Sequence, residues 1–157
     1  MELGASAAKV QEEARRLALD VTVREMPAST RTAEEAAAAC GVTVGQIVKS
    51  LVFLGAQSGK PYLLLVSGTN RVNETGIAAH LGEGVKRPDG CTVREMTGFA
   101  IGGIPPFGHD TPLAIFMDQD LLQYDVVWAA AGTPKAVFSA DPNKLRDAVS
   151  AKVISVV

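Results

Sequence analysis

Cysteine and histidine are scarce in this 157-residue chain. Its two cysteines, Cys40 and Cys91, lie far apart and form no CxxC pair, and its two histidines, His80 and His109, are isolated from each other. Metal sites place their Cys and His ligands at short characteristic spacings, and a structural disulfide is unusual in a cytoplasmic protein. The sequence therefore predicts no metal site, and it gives no reason to infer another cofactor.

A strong net charge and a long apolar segment are also missing. The formal net charge is −2, which excludes a globally basic nucleic-acid-binding protein. Any contact with RNA must then come from a local patch, and an end of a nucleic acid is a better ligand than a long duplex. No apolar run approaches the roughly 20 residues that span a bilayer, and the N-terminus lacks the pattern of a secretory signal. We expect a cytoplasmic location with no membrane partner.

The hydrophobic fraction of 47% and the charged fraction of 20% are ordinary for a globular protein. The length suits one domain over residues 1–157. Periodicity, caps and turns predict helices over 6–19, 33–40, 73–81, 93–97 and 142–149. They predict strands over 21–26, 46–54, 61–67, 113–117, 126–130, 135–138 and 152–157. Several connections are too short for parallel crossovers, which favours an α+β fold with a mixed, strongly curved sheet flanked by helices.

Lys49 stands out because it lies in the middle of an apolar strand. Side chains alternate along a strand, so Lys49 shares a face with Ile47, Leu51 and Phe53, while Ser50 faces the opposite side. Both faces are apolar, and a buried ammonium is costly without an anionic or polar partner. This pattern predicts that Lys49 points into a pocket, although a lysine that extends to solvent from a strand end would show the same pattern.

A glycine-rich loop follows about fifty residues later, at 100–109. Gly102 and Gly103 are followed by Pro105, Pro106, Phe107, Gly108 and His109. Such a loop can present backbone N–H groups to a ligand, and it can equally serve as a tight turn between strands. A second tight loop is predicted at Gly132, Thr133 and Pro134.

These features resemble the YbaK family, the aminoacyl-tRNA deacylases related to the editing domain inserted in bacterial prolyl-tRNA synthetase. The matching segments are 32–37, 45–53, 67–72, 97–109 and 130–134. The resemblance implies a barrel-like mixed sheet and metal-free hydrolysis of the ester that joins a wrong amino acid to the 3′ end of tRNA. It also implies that the amino acid removed is small and that the partner is a mischarged tRNA, either tRNA-Pro or a related tRNA. An aminoacyl-tRNA synthetase is a further candidate partner. One departure is Lys135, where similar sequences tend to have histidine.

The resemblance places the lysine of the family at Lys49 and its glycine-rich loop at Gly102 to Gly108. We expect three catalytic residues, Lys49, Gly102 and Gly103. We expect the substrate to be bound by Ser50, Asn70, Arg71, Ile104, Pro106, Phe107, Gly108, His109, Gly132, Thr133 and Pro134. The aromatic residues are more often core than base-stacking surfaces, and Phe107, within the loop, is the one to test for stacking on the terminal adenine.

The sequence offers no convincing nucleophile, so the attacking species is expected to be water. Lys49 would bind the phosphate of the terminal nucleotide or the developing negative charge, and the Gly102 and Gly103 amides would position the ester. Two alternatives stay open at this point. The chain could be a noncatalytic module that binds tRNA or a nucleotide, or it could hydrolyse another small acyl ester.

Overall fold

The computed structural model describes residues 3–157, which form five α-helices and eight β-strands. The helices are α1 (Ala5–Arg16), α2 (Ala33–Cys40), α3 (Glu74–Leu81), α4 (Gly90–Thr97) and α5 (Pro142–Val149). The strands are β1 (Arg24–Glu25), β2 (Ile47–Gly55), β3 (Pro61–Ser67), β4 (Val85–Lys86), β5 (Ala114–Asp118), β6 (Val127–Ala130), β7 (Ala136–Ala140) and β8 (Lys152–Ile154). Short 3₁₀ helices lie at Val44–Gln46 and Gln119–Gln123.

Most helices begin and end at capping residues that can be recognised in the sequence. Four helices begin after a side chain that accepts a first-turn N–H, namely Thr32, Asn73, Asp89 and Asp141. Three helices end at a glycine in the left-handed conformation, namely Gly41, Gly82 and Gly98. The prediction of a helix over 93–97 was too short, because the cap at Asp89 starts α4 at Gly90.

All eight strands join one mixed sheet in the order β1-β7-β6-β2-β3-β5-β8, with β4 paired to β2 beside this path. The pairs β2·β6, β3·β5 and β5·β8 are parallel, and the remaining pairs are antiparallel. The predicted α+β class with a mixed sheet flanked by helices is therefore confirmed.

Two terminal strands are shorter than predicted because other groups satisfy their backbone. Strand β1 contains two residues, because the Gln11 side chain donates to Val21 O at 3.0 Å and accepts from Val23 N at 2.8 Å. Strand β8 ends at Ile154, and Val156 O then accepts the N–H of Asn73 at 2.7 Å. Backbone N–H and C=O groups that already bond to a side chain or to the start of a helix are not available for pairing with a neighbouring strand.

The central strand β2 separates two buried clusters, as its alternation predicts. Val48 and Val52 face the main core, whereas Phe53 faces a second cluster that includes Leu64 and Val66 of β3. Because the buried residues of β2 fix the face of every side chain in the strand, they also place Lys49 and Ser50 on opposite faces.

One edge of β2 is interrupted, and this interruption positions the site. Its first edge pairs continuously with β3 from Val48 to Leu54. Its second edge pairs with β6 at Ile47 and Val48 and with β4 at Leu54 and Gly55. Within residues 3–157, no strand pairs with that second edge from 49 to 53. The sheet therefore contains an opening whose border is the strand segment carrying Lys49.

Away from this opening, the Glu83 carboxylate holds the β2–β3 turn to the segment before β4. It accepts the N–H groups of Gln57 and Ser58 at 3.0 and 2.9 Å, and the hydroxyls of Ser58 and Tyr62 at 2.5 and 2.7 Å. The hydrogen bonds from Ser58 come first among the causes that lower the Glu83 pKa to about 2. The carboxylate is thus bound in its charged form.

We expect Glu83→Gln to weaken the pH dependence of stability in acid. A carboxyl whose folded pKa lies below its unfolded value stabilises the protein above the unfolded value, and loses this effect as pH falls through the folded value. The stability difference between wild type and Glu83→Gln should therefore be full above about pH 4.5 and shrink towards about pH 2. Urea unfolding at several pH values measures it, and a difference that is constant with pH would contradict this prediction.

Candidate active site

A pocket of about 520 Å³ occupies the opening in the sheet. Strand β2 contributes Lys49, Ser50 and Leu51, and the glycine-rich loop contributes Ile101, Gly102 and Ile104. The opposite wall is the segment that leads into α2, from Thr30 to Glu34. The pocket is therefore formed where the strand, the loop and the start of a helix converge.

One end of the pocket is apolar. Ala36 of α2, Ile47 of β2, Trp128 of β6 and Val137 of β7 line it. Ala36 and Ile47 belong to one small buried cluster, against which Trp128 packs. The site thus offers an apolar surface beside a charged one, an arrangement typical of small-molecule sites.

Lys49 is half-buried on this pocket, and its Nζ donates to the backbone oxygen of Asn70 at 2.5 Å. An ammonium carries three N–H donors, so two of them remain for a ligand. Burial lowers the pKa of Lys49 below its ordinary value, and the carboxylates of Glu34 and Asp118 act against this shift. The ammonium is therefore partly desolvated, and its charge can act strongly on a bound anion.

A buried carboxylate anchors the segment that holds Lys49. Asp118 is 1% exposed, and its Oδ2 accepts from Ser67 N at 3.0 Å and from Asn70 Nδ2 at 2.8 Å. Its Oδ1 accepts from Asp120 N at 2.9 Å, and Asn70 Nδ2 also donates to Asp120 Oδ2 at 2.7 Å. Both amide protons of Asn70 are thereby used, so the network fixes the carbonyl that receives Lys49.

We expect Asp118→Asn to destabilise the protein by roughly 2–3 kcal/mol. The asparagine amide would place N–H groups against backbone and side-chain donors that now point at a carboxylate. Urea unfolding at neutral pH measures this loss. Asp125→Asn, at an exposed site, serves as the control and should stay within about 0.5 kcal/mol of wild type. Equal stability of the Asp118 and Asp125 variants would contradict the prediction.

Gly102 borders the pocket in a backbone conformation that suits glycine. Its φ is +95°, and a Cβ placed there would lie 2.7 Å from Cγ of Arg31. Within residues 3–157, the Gly102 N–H donates to no acceptor. This amide therefore has no partner among the described residues, and the Arg31 side chain lies close to Gly102 on the side where a side chain would project.

Gly103 is placed differently from its neighbour. Its N–H donates to Ala100 O at 3.0 Å, and its carbonyl accepts the N–H of Gly132 at 2.8 Å. A Cβ at Gly103 would lie 2.9 Å from Thr133 Cα, so the two tight loops are in close backbone contact. The Gly103 N–H is thus used by a turn, unlike that of Gly102, and a role of Gly103 at the ester stays a prediction.

Ser50 lies on the face opposite Lys49 and also lines the pocket. Its Oγ is buried and has no hydrogen-bond partner among the described residues. An unsatisfied buried hydroxyl is uncommon in proteins, and it marks a place where a bound polar group would gain a hydrogen bond. Of the remaining predicted residues, Ile104 also borders the pocket.

The later residues of the glycine-rich loop lie outside the pocket lining. Phe107 is 4% exposed and packs against Phe138 with ring centroids 5.5 Å apart. Phe107 is therefore packed in the core, as aromatic residues more often are. Pro106 is buried, Gly108 has a φ of +80°, and His109 Nε2 lies 2.7 Å from Pro105 O. Burial is the main cause that lowers the His109 pKa.

The other predicted residues surround the site rather than lining it. Arg71 is exposed on the chain beyond β3. Thr133 Oγ1 accepts from Lys135 N at 3.3 Å, and Pro134 O accepts from Thr30 N at 2.6 Å. The loop from Gly132 to Pro134 therefore supports the pocket wall at Thr30 from behind.

Three charged residues of the site were not singled out from the sequence, namely Arg31, Glu34 and Asp118. Arg31 precedes the capping residue Thr32 and Glu34 follows it, in a segment that the sequence predicted as a helix start and as a family match, with no site role for either residue. Within the described part of the chain, no group of three or more Cys, His, Asp or Glu side chains could hold a metal ion. Nor does any helix in that part have the length and apolarity to cross a membrane.

The sequence and the fold have counterparts among known proteins. Residues 27–148 match the model of the aminoacyl-tRNA editing domain, and this chain belongs to that family. The resemblance predicted from the sequence is thereby confirmed.

Particular relatives extend this assignment over the whole chain. A solved structure, provisionally described as a trans-editing enzyme for prolyl-tRNA synthetase, is 49% identical with a TM-score of 0.93, and the match covers 99% of this chain and 98% of that one. The uncharacterized protein YwhH of Bacillus subtilis is 28% identical over 131 residues, 83% of each chain. Proline–tRNA ligase of Limosilactobacillus fermentum is 33% identical over 106 residues, 65% of this chain and 18% of the ligase.

Proposed function

We propose that this protein is a trans-editing deacylase that hydrolyses the ester between a small, wrongly attached amino acid and the 3′ end of tRNA. Membership of the aminoacyl-tRNA editing domain family supports the reaction class. The observation that carries the proposal is the pairing of a half-buried ammonium at Lys49 with a free amide at Gly102 on one pocket. The similar structure and the similar ligase segment make tRNA-Pro the leading substrate, and prolyl-tRNA synthetase the leading partner.

The hydrolytic step requires stabilisation of a negative charge. Water attacks the ester carbonyl, its oxygen forms the new bond to carbon, and the carbonyl oxygen becomes an oxyanion. The two unused N–H donors of Lys49 and the Gly102 N–H are available to such an oxygen or to the adjacent phosphate. The bond to the ribose oxygen then breaks, that oxygen takes a proton, and free amino acid and tRNA result.

No side chain of the pocket is placed as an evident general base. Its titratable side chains are Arg31, Glu34 and Lys49. Arginine stays protonated, and Lys49 is committed to Asn70 O by one hydrogen bond. Glu34, the one carboxylate among the described lining residues, is exposed at the rim of the pocket. We therefore assign proton transfer to the vicinal ribose hydroxyl of the substrate, assisted by solvent.

Selection by size follows from the lining of the pocket. The apolar end offers Ala36, Trp128 and Val137 to an amino-acid side chain. Steric exclusion can reject a larger side chain, whereas one missing methylene changes binding by only about 1–3 kcal/mol. This geometry supports a small substrate side chain such as that of alanine or serine.

The test is hydrolysis of a panel of tRNAs charged with alanine, serine, threonine, cysteine, 2-aminobutyrate or proline. We expect selective release of one or two small amino acids. Release of none by folded protein that still binds the charged tRNA would instead support a noncatalytic binding module. Equal hydrolysis of small acyl esters that lack tRNA, with no competition by uncharged tRNA, would support a general esterase.

A further inference from the structure

Glu34 contributes the one carboxylate among the described residues that line the pocket, where Arg31 and Lys49 contribute the two cationic groups. Glu34 lies in the first turn of α2 and is exposed, so its carboxylate stands at the rim. The charges of the pocket are therefore mixed, although a tRNA end brings mostly negative charge to it.

The Glu34 carboxylate makes no hydrogen bond or ion pair within residues 3–157. Its neighbour Glu35 behaves differently, because Glu35 Oε1 accepts from Thr32 Oγ1 at 3.0 Å and Glu35 N donates to Thr32 Oγ1 at 3.1 Å. Glu35 thus closes the cap of α2, and Glu34 is not needed for that cap. A free carboxylate on a pocket wall is available to a cationic ligand group.

The position of Glu34 fits the one cationic group of an aminoacyl ester. The α-ammonium is attached to the carbon next to the ester carbonyl, and that carbonyl is assigned to Lys49 and Gly102. Glu34, Lys49 and Gly102 line the same pocket of about 520 Å³, so a ligand held in this pocket meets all three groups. The Glu34 carboxylate also acts to raise the Lys49 pKa, against the effect of burial. Ala36, on the same helix, belongs to the apolar end that would receive the amino-acid side chain.

We propose that Glu34 binds the α-ammonium group of the aminoacyl ester and makes the site select aminoacyl-tRNA over tRNA esters of uncharged acids. This inference rests on the proposed deacylase function and adds a substrate feature to it. The amino acid would be recognised by its charge at Glu34, and by its size at the apolar end.

An isosteric substrate pair tests the inference. Alanyl-tRNA and lactyl-tRNA differ in an ammonium replaced by a hydroxyl, and the seryl and glyceryl esters form a second such pair. An α-ammonium itself activates the neighbouring ester, so each enzymatic rate is divided by the uncatalysed rate of the same ester. On this scale we expect wild type to hydrolyse the aminoacyl member at least about tenfold faster, the effect of one hydrogen bond to a charged group. Glu34→Gln should bring the two rates within about threefold of each other, mainly by slowing the aminoacyl member.

The matched control is Glu35→Gln, which changes the same charge in the same helical turn and therefore has the same effect on the helix dipole. This variant should keep the wild-type preference. A preference that survives in Glu34→Gln, or that falls equally in both variants, would overturn the role of Glu34 and leave the deacylase function standing. Wild-type protein that hydrolyses no member of either pair and no tRNA of the six-amino-acid panel would overturn the deacylase function, and the role of Glu34 with it.

Discussion

Replacing Lys49 by alanine is expected to lower the deacylation rate by at least about 100-fold while the protein stays folded. The Lys49 ammonium lines the pocket and has two N–H donors that no protein group uses, and the substitution removes this ammonium. Losing one preorganised donor to an oxyanion typically costs about 100- to 1,000-fold in rate. Single-turnover hydrolysis of the preferred mischarged tRNA, with circular dichroism of the variant, measures both parts of this prediction.

Lys60→Ala is the matched control, because Lys60 is an exposed lysine in the β2–β3 turn, outside the pocket lining. It removes the same charge from the protein and should leave the rate within about twofold of wild type. Near-native turnover by folded Lys49→Ala protein would remove Lys49 from the mechanism. An equal loss in both variants would indicate a general effect of charge on tRNA binding.

Gly102→Val should likewise reduce deacylation by about 100-fold or more, since it blocks a donor of the oxyanion-binding type. A β-branched residue is strongly disfavoured at a φ of +95°, and its Cβ would collide with the Arg31 side chain at the pocket wall. The loop would have to move, and the free Gly102 amide would move with it. The measurement is the rate of deacylation at saturating enzyme.

Gly59→Val separates the effect on the site from the effect on the backbone. Gly59 has a φ of +72°, and a Cβ placed there would meet nothing within 4 Å. Both variants therefore carry a comparable backbone penalty, and Gly102→Val alone alters the pocket. Similar rates in the two variants would mean that the glycine-rich loop is structural and contributes nothing to the reaction.

The features of this fold that could be predicted from sequence are local ones. Thr32 and Gly41 mark the ends of α2, because a cap and a left-handed terminus are formed by residues within a few positions of each other. The alternation of β2 likewise predicted opposite faces for Lys49 and Ser50, since it needs no knowledge of neighbouring strands.

The features that could not be predicted depend on pairings between distant segments. The opening beside Lys49 exists because β6 and β4 pair with the two ends of β2 and leave its middle free. The burial of Phe107 depends on Phe138, and the anchor of Asn70 depends on Asp118. The hydrogen bond from Gly103 N–H to Ala100 O joins residues close in sequence. It still could not be predicted, because glycine residues allow many backbone dihedral angles in such a loop.

The interrupted edge of β2 also bears on how copies of this protein avoid one another. An unpaired strand edge offers N–H and C=O groups to the strands of other molecules, and natural proteins cover such edges. Here Ile101, Gly102 and Ile104 stand across the gap from residues 49–51 of β2. The loop that shapes the pocket is therefore also a cover against edge-to-edge aggregation. Solubility and the proposed catalysis would then depend on the same few residues, and loosening this loop should impair both properties together.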